Sequence, residues 1–485
     1  MKRILTTFLL AVLTFAALAQ VKPVTGTFLN FFWQDERNNY MNPRGIDNTD
    51  PDLWRVKMEE LHEIGVDWIV LMAVANEGKA IYPSSIMERG YDPARKSPID
   101  AVMDAADSLG MHVFMSCGHA RNQLDDLSDP FVVRRQREMI EELSKIYGGR
   151  PAFYGWYLPV EGCMIPWLPD AGIKGVNEVA ARARELTPGV KIMISPYGIF
   201  KGDFSSPKFA EQIYKLDVDI IAYQDEIGCV REDYPMRAMK EHFRMLADIH
   251  SKCGIELWAN IESFTWDRRP NNWFSTLIPA AFGRYLSQLV GVSQAGVTRV
   301  ISFSVAGIFD KPGSVYPLGQ PVYSAKAWEN YCAWMAGDRR WKLLESLLLD
   351  DSTPCEDPSD PRWQVYGSKM EYIVDLGRVK PVHCVAGHFL DSRRDGIDIP
   401  QSFEVLVSDD GNDFRHVTTV AGESWPNDYL DTWSDVVLAD LSAPSCVSTS
   451  CGAPSGGHVS ARYVMVRATV PAGRSIYCSR ILVNP

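Results

Sequence analysis

FYGWYLPVE, from Phe153 to Glu161, and IELWANIES, from Ile255 to Ser263, are short apolar and aromatic runs that each carry a glutamate at or near their end. Runs of this length that are apolar on both faces are typical of parallel strands, which are buried on both sides. Glu161 and Glu262 therefore stand where two buried strands run into loops.

Eight runs of this kind alternate with helical segments between residues 20 and 338. Met236, Met239 and Phe243, for example, step by three and four residues, as one face of a helix does. This alternation favours a (β/α)8 TIM barrel, an α/β fold, over an open doubly wound sheet. No Gly-rich phosphate-binding fingerprint follows a strand. The predicted strands are GTFLNFFW (26–33), VDWIVLMAV (66–74), MHVFMSC (111–117), FYGWYLPVE (153–161), VKIMISPY (190–197), VDIIAYQDE (218–226), IELWANIES (255–263) and TRVISFSV (298–305).

Residues 339–485 follow a different pattern, because past Arg340 short alternating runs are separated by turn residues. This pattern predicts an all-β sandwich. VDLG (374–377), FEVLVSDDG (403–411) and ARYV (461–464) resemble scaffold motifs of the discoidin-like, coagulation factor 5/8 C-terminal family. The resemblance implies a carbohydrate-binding module, and a structural spacer packed on the barrel is the alternative.

The first 19 residues predict a secretory signal peptide. Lys2 and Arg3 precede an apolar run, and Ala17-Leu18-Ala19 forms a small-x-small cleavage site. The mature protein is therefore expected to be secreted or periplasmic and not inserted in a membrane. The formal net charge of -12 argues against a nucleic-acid partner and fits a neutral oligo- or polysaccharide substrate.

The ten cysteines show no dense disulfide framework, although Cys446 and Cys451 flank a short loop and are close enough in sequence to pair. Cys117, Cys163 and Cys229 lie at or just beyond predicted strand ends near His119. Zinc-binding spacing is absent from these residues, so we predict no metal and no cofactor.

The two strand-end glutamates predict glycosidic-bond cleavage, because this chemistry requires an acid and a second carboxylate that attacks or activates water. Barrel enzymes place such groups at the C-terminal ends of their strands. Side chains alternate along a strand, so Trp258 and Asn260 share the direction of Glu262, and Tyr157 shares that of Glu161. These three residues are predicted to contact the sugar.

The sixth predicted strand ends in three further polar residues. Asp225 is in phase with Tyr223, and Glu226 with Gln224, and either pair is a candidate for contact with sugar hydroxyls. Asp225 is also a third catalytic candidate, as the base of an inverting enzyme or as the residue that orients Glu161. The further candidates at the mouth are Asn30, Trp33, His119 and Tyr197.

The placement of the glutamates on strands four and seven resembles the large group of retaining glycoside hydrolases. The resemblance implies that Glu161 is the acid/base and Glu262 the nucleophile. The chain departs from that group at Val160, where an asparagine usually stands.

The barrel also resembles a family of secreted bacterial proteins of unknown function that are glycoside-hydrolase-like. The shared motifs are G-W-Y-x-P-x-E (155–161), S-P-Y (195–197), Q-D-x-x-G (224–228) and W-A-N-x-E-x-F (258–264). An exported glycoside hydrolase is therefore the leading hypothesis, and a non-catalytic glycan-binding protein on the same barrel is the alternative. No Gly-x-Ser-x-Gly elbow supports a serine esterase.

Overall fold

The computed structural model describes residues 20–31, 47–159, 161, 164–230, 234–266, 277–318, 321–423, 425, 431–442 and 459–485. The predicted signal peptide, Trp33, Val160, Cys163 and the Cys446–Cys451 loop lie outside the described residues.

A closed barrel of eight parallel strands forms the N-terminal part of the described residues, as predicted. Its strands are β1, β2, β6, β7, β8, β9, β10 and β13, in that order around the barrel, and β13 closes onto β1. Small strands β3 to β5 follow β2, and the hairpin of β11 and β12 follows β10. The strands of this part are β1 (Gly26–Asn30), β2 (Trp68–Ala73), β3 (Ala75–Asn76), β4 (Lys79–Ala80), β5 (Glu88–Arg89), β6 (His112–Ser116), β7 (Phe153–Leu158), β8 (Lys191–Ile194), β9 (Ile220–Gln224), β10 (Glu256–Glu262), β11 (Phe264–Trp266), β12 (Leu277–Pro279) and β13 (Arg299–Phe303).

Several helices begin at a polar cap followed by proline. Asp50, Ser97, Asp129 and Ser206 each accept a hydrogen bond from an amide of the first turn, and proline stands at the first helical position. Both features favour a helix start. The helices are α1 (Pro51–Glu63), α2 (Pro98–Leu109), α3 (Pro130–Tyr147), α4 (Asp170–Leu186), α5 (Pro207–Ile213), α6 (Met236–His250), α7 (Phe282–Ala295), α8 (Pro321–Met335) and α9 (Arg339–Leu349), with a 3-10 turn at Ile199–Lys201.

Apolar side chains fill the half of the barrel lumen that lies toward the N-terminal ends of the strands. Trp68 and Trp258 meet edge to face at 5.5 Å between ring centroids, and the Arg299 guanidinium lies 3.9 Å from the Trp68 centroid. These residues lie near the N-terminal ends of their strands, which leaves the upper lumen for polar groups. The apolar filling consists of Phe28, Val70, Met72, Phe114, Tyr157, Met193, Ile220, Ala222, Trp258 and Ile301.

The C-terminal part contains two four-stranded antiparallel sheets, which agrees with the predicted sandwich. The first residues of the predicted sandwich domain are helical, because Arg339–Leu349 forms α9, which packs on α7. Asp338 caps this helix by accepting from the amides of Arg340 and Trp341. The sheets contain β14 (Gln364–Tyr366), β15 (Lys369–Pro381), β16 (Cys384–Ser392), β17 (Ser402–Ser408), β18 (Arg415–Val420), β19 (Thr432–Asp440), β20 (Ser460–Thr469) and β21 (Ile476–Val483).

The sandwich packs directly against the barrel through α7, α9 and β19. Arg340 of α9 donates to Glu423 at 2.9 Å and also binds Asp435. The Trp425 indole donates to the Pro279 carbonyl at 2.8 Å. The backbone of α7 at Gly283 lies so close to that of β19 that a Cβ atom on Gly283 would be 2.3 Å from the Ser434 carbonyl oxygen.

We expect Gly283→Ala to lower the free energy of unfolding by about 1–3 kcal/mol, because the new methyl group must push α7 away from β19. Gly172→Ala in α4 is the matched control, since its Cβ would find its nearest neighbour at 3.6 Å. That control should be neutral or stabilising, because alanine favours a helix more than glycine does. Denaturant unfolding of both variants checks the prediction, and equal stabilities would contradict it.

The described residues include no helix that is both long and apolar enough to cross a membrane.

Candidate active site

A cavity of about 160 Å³ opens in the upper barrel lumen and receives both strand-end glutamates. It lies at the C-terminal ends of the strands, where barrel enzymes carry out their chemistry. The volume is below the roughly 300–1,000 Å³ of typical drug-sized ligand sites, so the cavity is a narrow pocket. Its lining residues are Phe28, Met72, Gln123, Tyr157, Glu161, Tyr197, Gln224, Cys229, Asn260, Glu262, Phe264 and Phe303.

Glu161 follows β7 and projects into this pocket from one side. Its side chain is open to solvent in the pocket, although the surrounding barrel wall still removes much of its hydration. This desolvation raises the pKa of Glu161 above its usual value, and a hydrogen bond with Gln224 partly offsets the rise. The described structure thus presents an accessible carboxyl group with an enhanced affinity for a proton.

Glu262 ends β10 and is buried to 3% exposure. The backbone amide of Cys229 donates to Glu262 Oε2 at 2.7 Å, and the Cys229 side chain also hydrogen-bonds the carboxylate. Gly228 makes this approach possible, because a Cβ atom there would lie 2.9 Å from Oε2 and 2.8 Å from the Phe264 carbonyl oxygen. The Gln-Asp-x-x-Gly motif therefore brings a loop against the Glu262 carboxylate.

Glu262 lies beside two further buried acids. Burial raises its pKa first, and the negative charges of Asp225 and then Glu226 raise it further. Burial also raises the pKa of Glu226 to about 7 and, with smaller opposing hydrogen bonds, raises that of Asp225. The ionisation of Glu262 and Asp225 is therefore a property of the pair and not of either residue alone.

Asp225 faces away from the lumen toward α7, so the two catalytic roles considered for it do not fit the structure. It accepts from the Glu262 amide at 3.0 Å and from Gln288 Nε2 at 2.6 Å. Because strand side chains alternate, its direction follows that of outward-facing Tyr223. Asp225 supports the backbone of Glu262 and does not orient Glu161.

Asn260 and Gln224 form the polar side of the pocket, and both of their side chains hydrogen-bond Ser195. The Ser195 hydroxyl donates to the Ala222 carbonyl at 2.7 Å, so it accepts from Asn260 Nδ2 at 3.1 Å. Asn260 Oδ1 is buried without a partner among the described residues. A buried acceptor of this kind is costly unless a ligand or water donates to it. Gln224 Nε2 donates to the Ser195 carbonyl at 3.0 Å.

Tyr157 and Tyr197 also line the pocket, as their positions in the sequence predict. The opposite wall is apolar, and Phe28 contacts Tyr157 edge to face at 5.4 Å between centroids. Phe28, Met72 and Phe303 come from the adjacent strands β1, β2 and β13. The pocket therefore has one apolar side and one polar side.

The structure places three of the predicted sugar contacts away from the described pocket. Tyr223 is buried on the outer face of the sheet, where its hydroxyl bonds His250 Nε2 at 3.0 Å. Trp258 faces the lumen but lies in its lower layer, where its indole donates to Glu256 at 3.1 Å. Glu226 adopts a φ of 58°, which takes it out of strand alternation. Its carboxylate accepts from the amides of Gly198, Ile199 and Phe200 and closes the loop after β8.

The remaining candidate site residues either do not line the pocket or are not among the described residues. Asn30 ends β1 two residues above lumen-facing Phe28, but it does not line the described cavity. His119 is also absent from the described lining, and burial lowers its pKa to about 4. Trp33 lies outside the described residues, so its role stays a prediction.

The sequence analysis predicted Cys229 only as a thiol or metal ligand. The lining residues that it did not assign to the site are Phe28, Met72, Gln123, Phe264 and Phe303. Cys229 directly follows the Q-D-x-x-G motif, and Phe264 ends the W-A-N-x-E-x-F motif, so both could have been predicted from the motifs. Gln123 lies in an irregular loop and offers no such signal. Within the described ranges no group of three or more His, Cys, Asp or Glu residues could hold a metal ion.

Two solved structures are similar to this chain. A candidate alpha-L-fucosidase from Bacteroides thetaiotaomicron matches with a TM-score of 0.51 and 18% identity over 65% of this chain and 94% of that chain. A glycoside hydrolase family 5 protein from Bacteroides vulgatus matches with a TM-score of 0.39 and 11% identity over 87% and 86% of the two chains. At 18% identity the likeness to the first of these proteins shows the fold alone.

No curated protein matches the chain. A family model described as "Domain of unknown function (DUF4434)" matches residues 24–316, which is more than half of the chain. The matched residues contain the whole barrel and both glutamates of the pocket. The chain therefore belongs to the DUF4434 family.

Proposed function

We propose that the protein is a glycoside hydrolase that uses Glu161 and Glu262 as its catalytic carboxyl groups. The observation that carries this proposal is that both side chains line one narrow cavity at the C-terminal end of the barrel. Glycosidic cleavage requires two such groups on opposite sides of the scissile bond.

Glu161 is the acid/base in this proposal, and its raised pKa and open position suit proton transfer to the leaving oxygen. Glu262 is the nucleophile that attacks the anomeric carbon and forms a glycosyl-enzyme ester. Glu161 then removes a proton from water, which attacks the anomeric carbon, displaces the Glu262 carboxylate and releases the sugar with retained configuration. Asn260 Oδ1, buried without a described partner, is the acceptor proposed for a hydroxyl group of the bound ring.

The composition of the pocket supports a neutral sugar. None of the described lining residues is Lys, Arg or His, whereas two carboxyl groups face the cavity. A uronic acid, sulfate or phosphate would meet this negative charge without a compensating cation. Phe28, Met72 and Phe303 offer an apolar surface for the C–H face of the ring.

Incubation with a panel of neutral and anionic aryl glycosides tests the proposal, with NMR detection of the first-formed anomer. We expect turnover of at least one neutral glycoside and product with the configuration of the substrate. Absence of turnover on neutral aryl glycosides and on bacterial and plant polysaccharides, at any pH between about 4 and 9, would overturn the assignment.

The acidic limb of the pH–rate profile should move to lower pH in Asp225→Asn. The nucleophile works ionised, and repulsion by Asp225 helps to raise the pKa of Glu262. Removing that charge lowers the pKa of Glu262, so the ionised form persists to lower pH, by about 1 pH unit. The asparagine can still accept from the Glu262 amide.

Asp391→Asn is the control for this shift. Asp391 is a buried sandwich residue whose pKa burial raises to about 7, and it is far in sequence and fold from the pocket. The pH dependence of kcat/KM should match that of the wild type in this variant. An unshifted limb in Asp225→Asn would show that Glu262 does not control it.

The proposed enzyme acts outside the cytoplasm, since its first residues have the composition of a signal peptide. Mass spectrometry of the mature N-terminus from the culture medium and the periplasm tests this, and an uncleaved Met1 would contradict it.

A further inference from the structure

We propose that the C-terminal sandwich helps to position the proposed nucleophile. Asp431 of the sandwich fixes the side chain of Arg284, and Arg284 fixes the backbone at Glu262. The sandwich then has a positioning role beyond the accessory sugar-binding role that its sequence resemblance implies. This inference rests on the proposed function of Glu262.

Arg284 of α7 binds backbone carbonyl groups at Glu262, just beyond it, and in the loop after β9. Its Nη2 donates to the Glu262 carbonyl at 3.1 Å and to the Phe264 carbonyl at 2.6 Å. Its Nη1 donates to the Ile227 carbonyl at 3.3 Å. One rigid guanidinium therefore joins the end of β10 to the loop whose Cys229 amide contacts the Glu262 carboxylate.

Gln288, one turn further along α7, strengthens the same contact. Its Nε2 donates to the Glu262 carbonyl at 3.0 Å and to Asp225 Oδ2 at 2.6 Å. Asp225 in turn accepts from the Glu262 amide at 3.0 Å. The inner face of α7 thus fixes the amide and the carbonyl of the proposed nucleophile, so a shift of this helix moves Glu262.

The sandwich holds the opposite side of this helix turn. Asp431 lies 3.6 Å from Arg284 Nη1, and both side chains are almost fully buried. A buried charge that loses its partner is strongly destabilising, so the position of Asp431 constrains the guanidinium. The close contact of Gly283 with Ser434 fixes the adjacent residue of α7 on β19.

Asp431→Asn should lower kcat roughly 10- to 100-fold with little change in KM, because small displacements of a reacting group cost rate more than binding. Arg284 does not line the described pocket, so loss of a direct sugar contact does not account for such a change.

Asp435→Asn is the matched control. Asp435 is also a buried aspartate of the sandwich at the same interface, but it pairs with Arg340 of α9 and has no described bond to Arg284. The control should lower the melting temperature and leave kcat near the wild-type value. Equal kcat losses in the two variants, or no loss in Asp431→Asn, would overturn the proposal.

Arg284→Lys carries the test if Asp431→Asn fails to fold. Lysine retains the charge for Asp431 but lacks the planar fork that reaches three carbonyl groups. A loss of kcat at unchanged KM is expected again, and wild-type kcat would refute the positioning role.

A measurement without substrate separates this inference from the proposed function. Because Cys229 hydrogen-bonds Glu262, displacement of Glu262 should speed alkylation of Cys229 by iodoacetamide severalfold, as followed by peptide mass spectrometry. Faster alkylation in Asp431→Asn but not in Asp435→Asn supports the coupling even if no glycoside is hydrolysed. Unchanged alkylation and unchanged kcat in an active enzyme would refute the coupling alone.

Discussion

Glu262→Gln should lower turnover of a neutral glycoside by at least about 10³-fold while the protein stays folded and still binds sugar. Glutamine has nearly the same size as glutamate and still accepts the hydrogen bond from the Cys229 amide. It cannot form the covalent ester, so the chemical step loses its nucleophile, and losses of this scale are typical when a covalent catalyst is removed. Steady-state kinetics and calorimetric sugar binding measure the two effects.

Glu256→Gln is the control for this substitution, since it makes the same chemical change at the opposite end of the same strand. Glu256 begins β10, where it contacts Lys191 and the Trp258 indole. Its replacement should leave kcat within about twofold of wild type, because it lies at the N-terminal end of the barrel, away from the chemistry. Turnover that survives Glu262→Gln would remove Glu262 from the mechanism.

The eight barrel strands could be predicted because each is a largely apolar run, as expected for strands that are buried on both faces. Along each strand the side chains point alternately toward the lumen and toward the surrounding helices. Alternation also predicted that Asn260 and Glu262 share the lumen and that Tyr157 faces the pocket. For β9, alternation did not decide which of two neighbouring residues points into the lumen. In the structure Gln224 points inward and Tyr223 points outward. Alternation failed at Glu226, whose left-handed backbone conformation no local pattern signals.

The support around Glu262 could not be predicted from sequence. Arg284 and Gln288 are polar residues at helical spacing, a pattern that normally indicates a solvated helix face. They are buried because β10 and the sandwich press on both sides of α7. Such long-range contacts appear only once the fold is known. The helix α9 was missed although the sequence signals it locally, since its buried residues recur every three positions after a polar cap.

Glu161→Gln should slow hydrolysis in proportion to the basicity of the leaving group. Substrates with a sugar or alkyl leaving group need proton donation to the departing oxygen, so their rate should fall by about 10²–10⁴-fold. A dinitrophenyl glycoside leaves without a proton, so its first step should be nearly unaffected. Comparing the two substrate types by pre-steady-state kinetics measures the acid role within one variant.

Azide distinguishes the two carboxyl groups further. In Glu161→Ala, azide enters the space left by the side chain and attacks the glycosyl-enzyme without needing a base. The product should be a glycosyl azide with the configuration of the substrate, because two displacements have occurred. In Glu262→Ala, a single displacement by azide should give the opposite anomer. NMR of the two products therefore assigns each carboxyl group its role, and the reverse pattern would exchange the acid/base and the nucleophile while keeping both in one pocket.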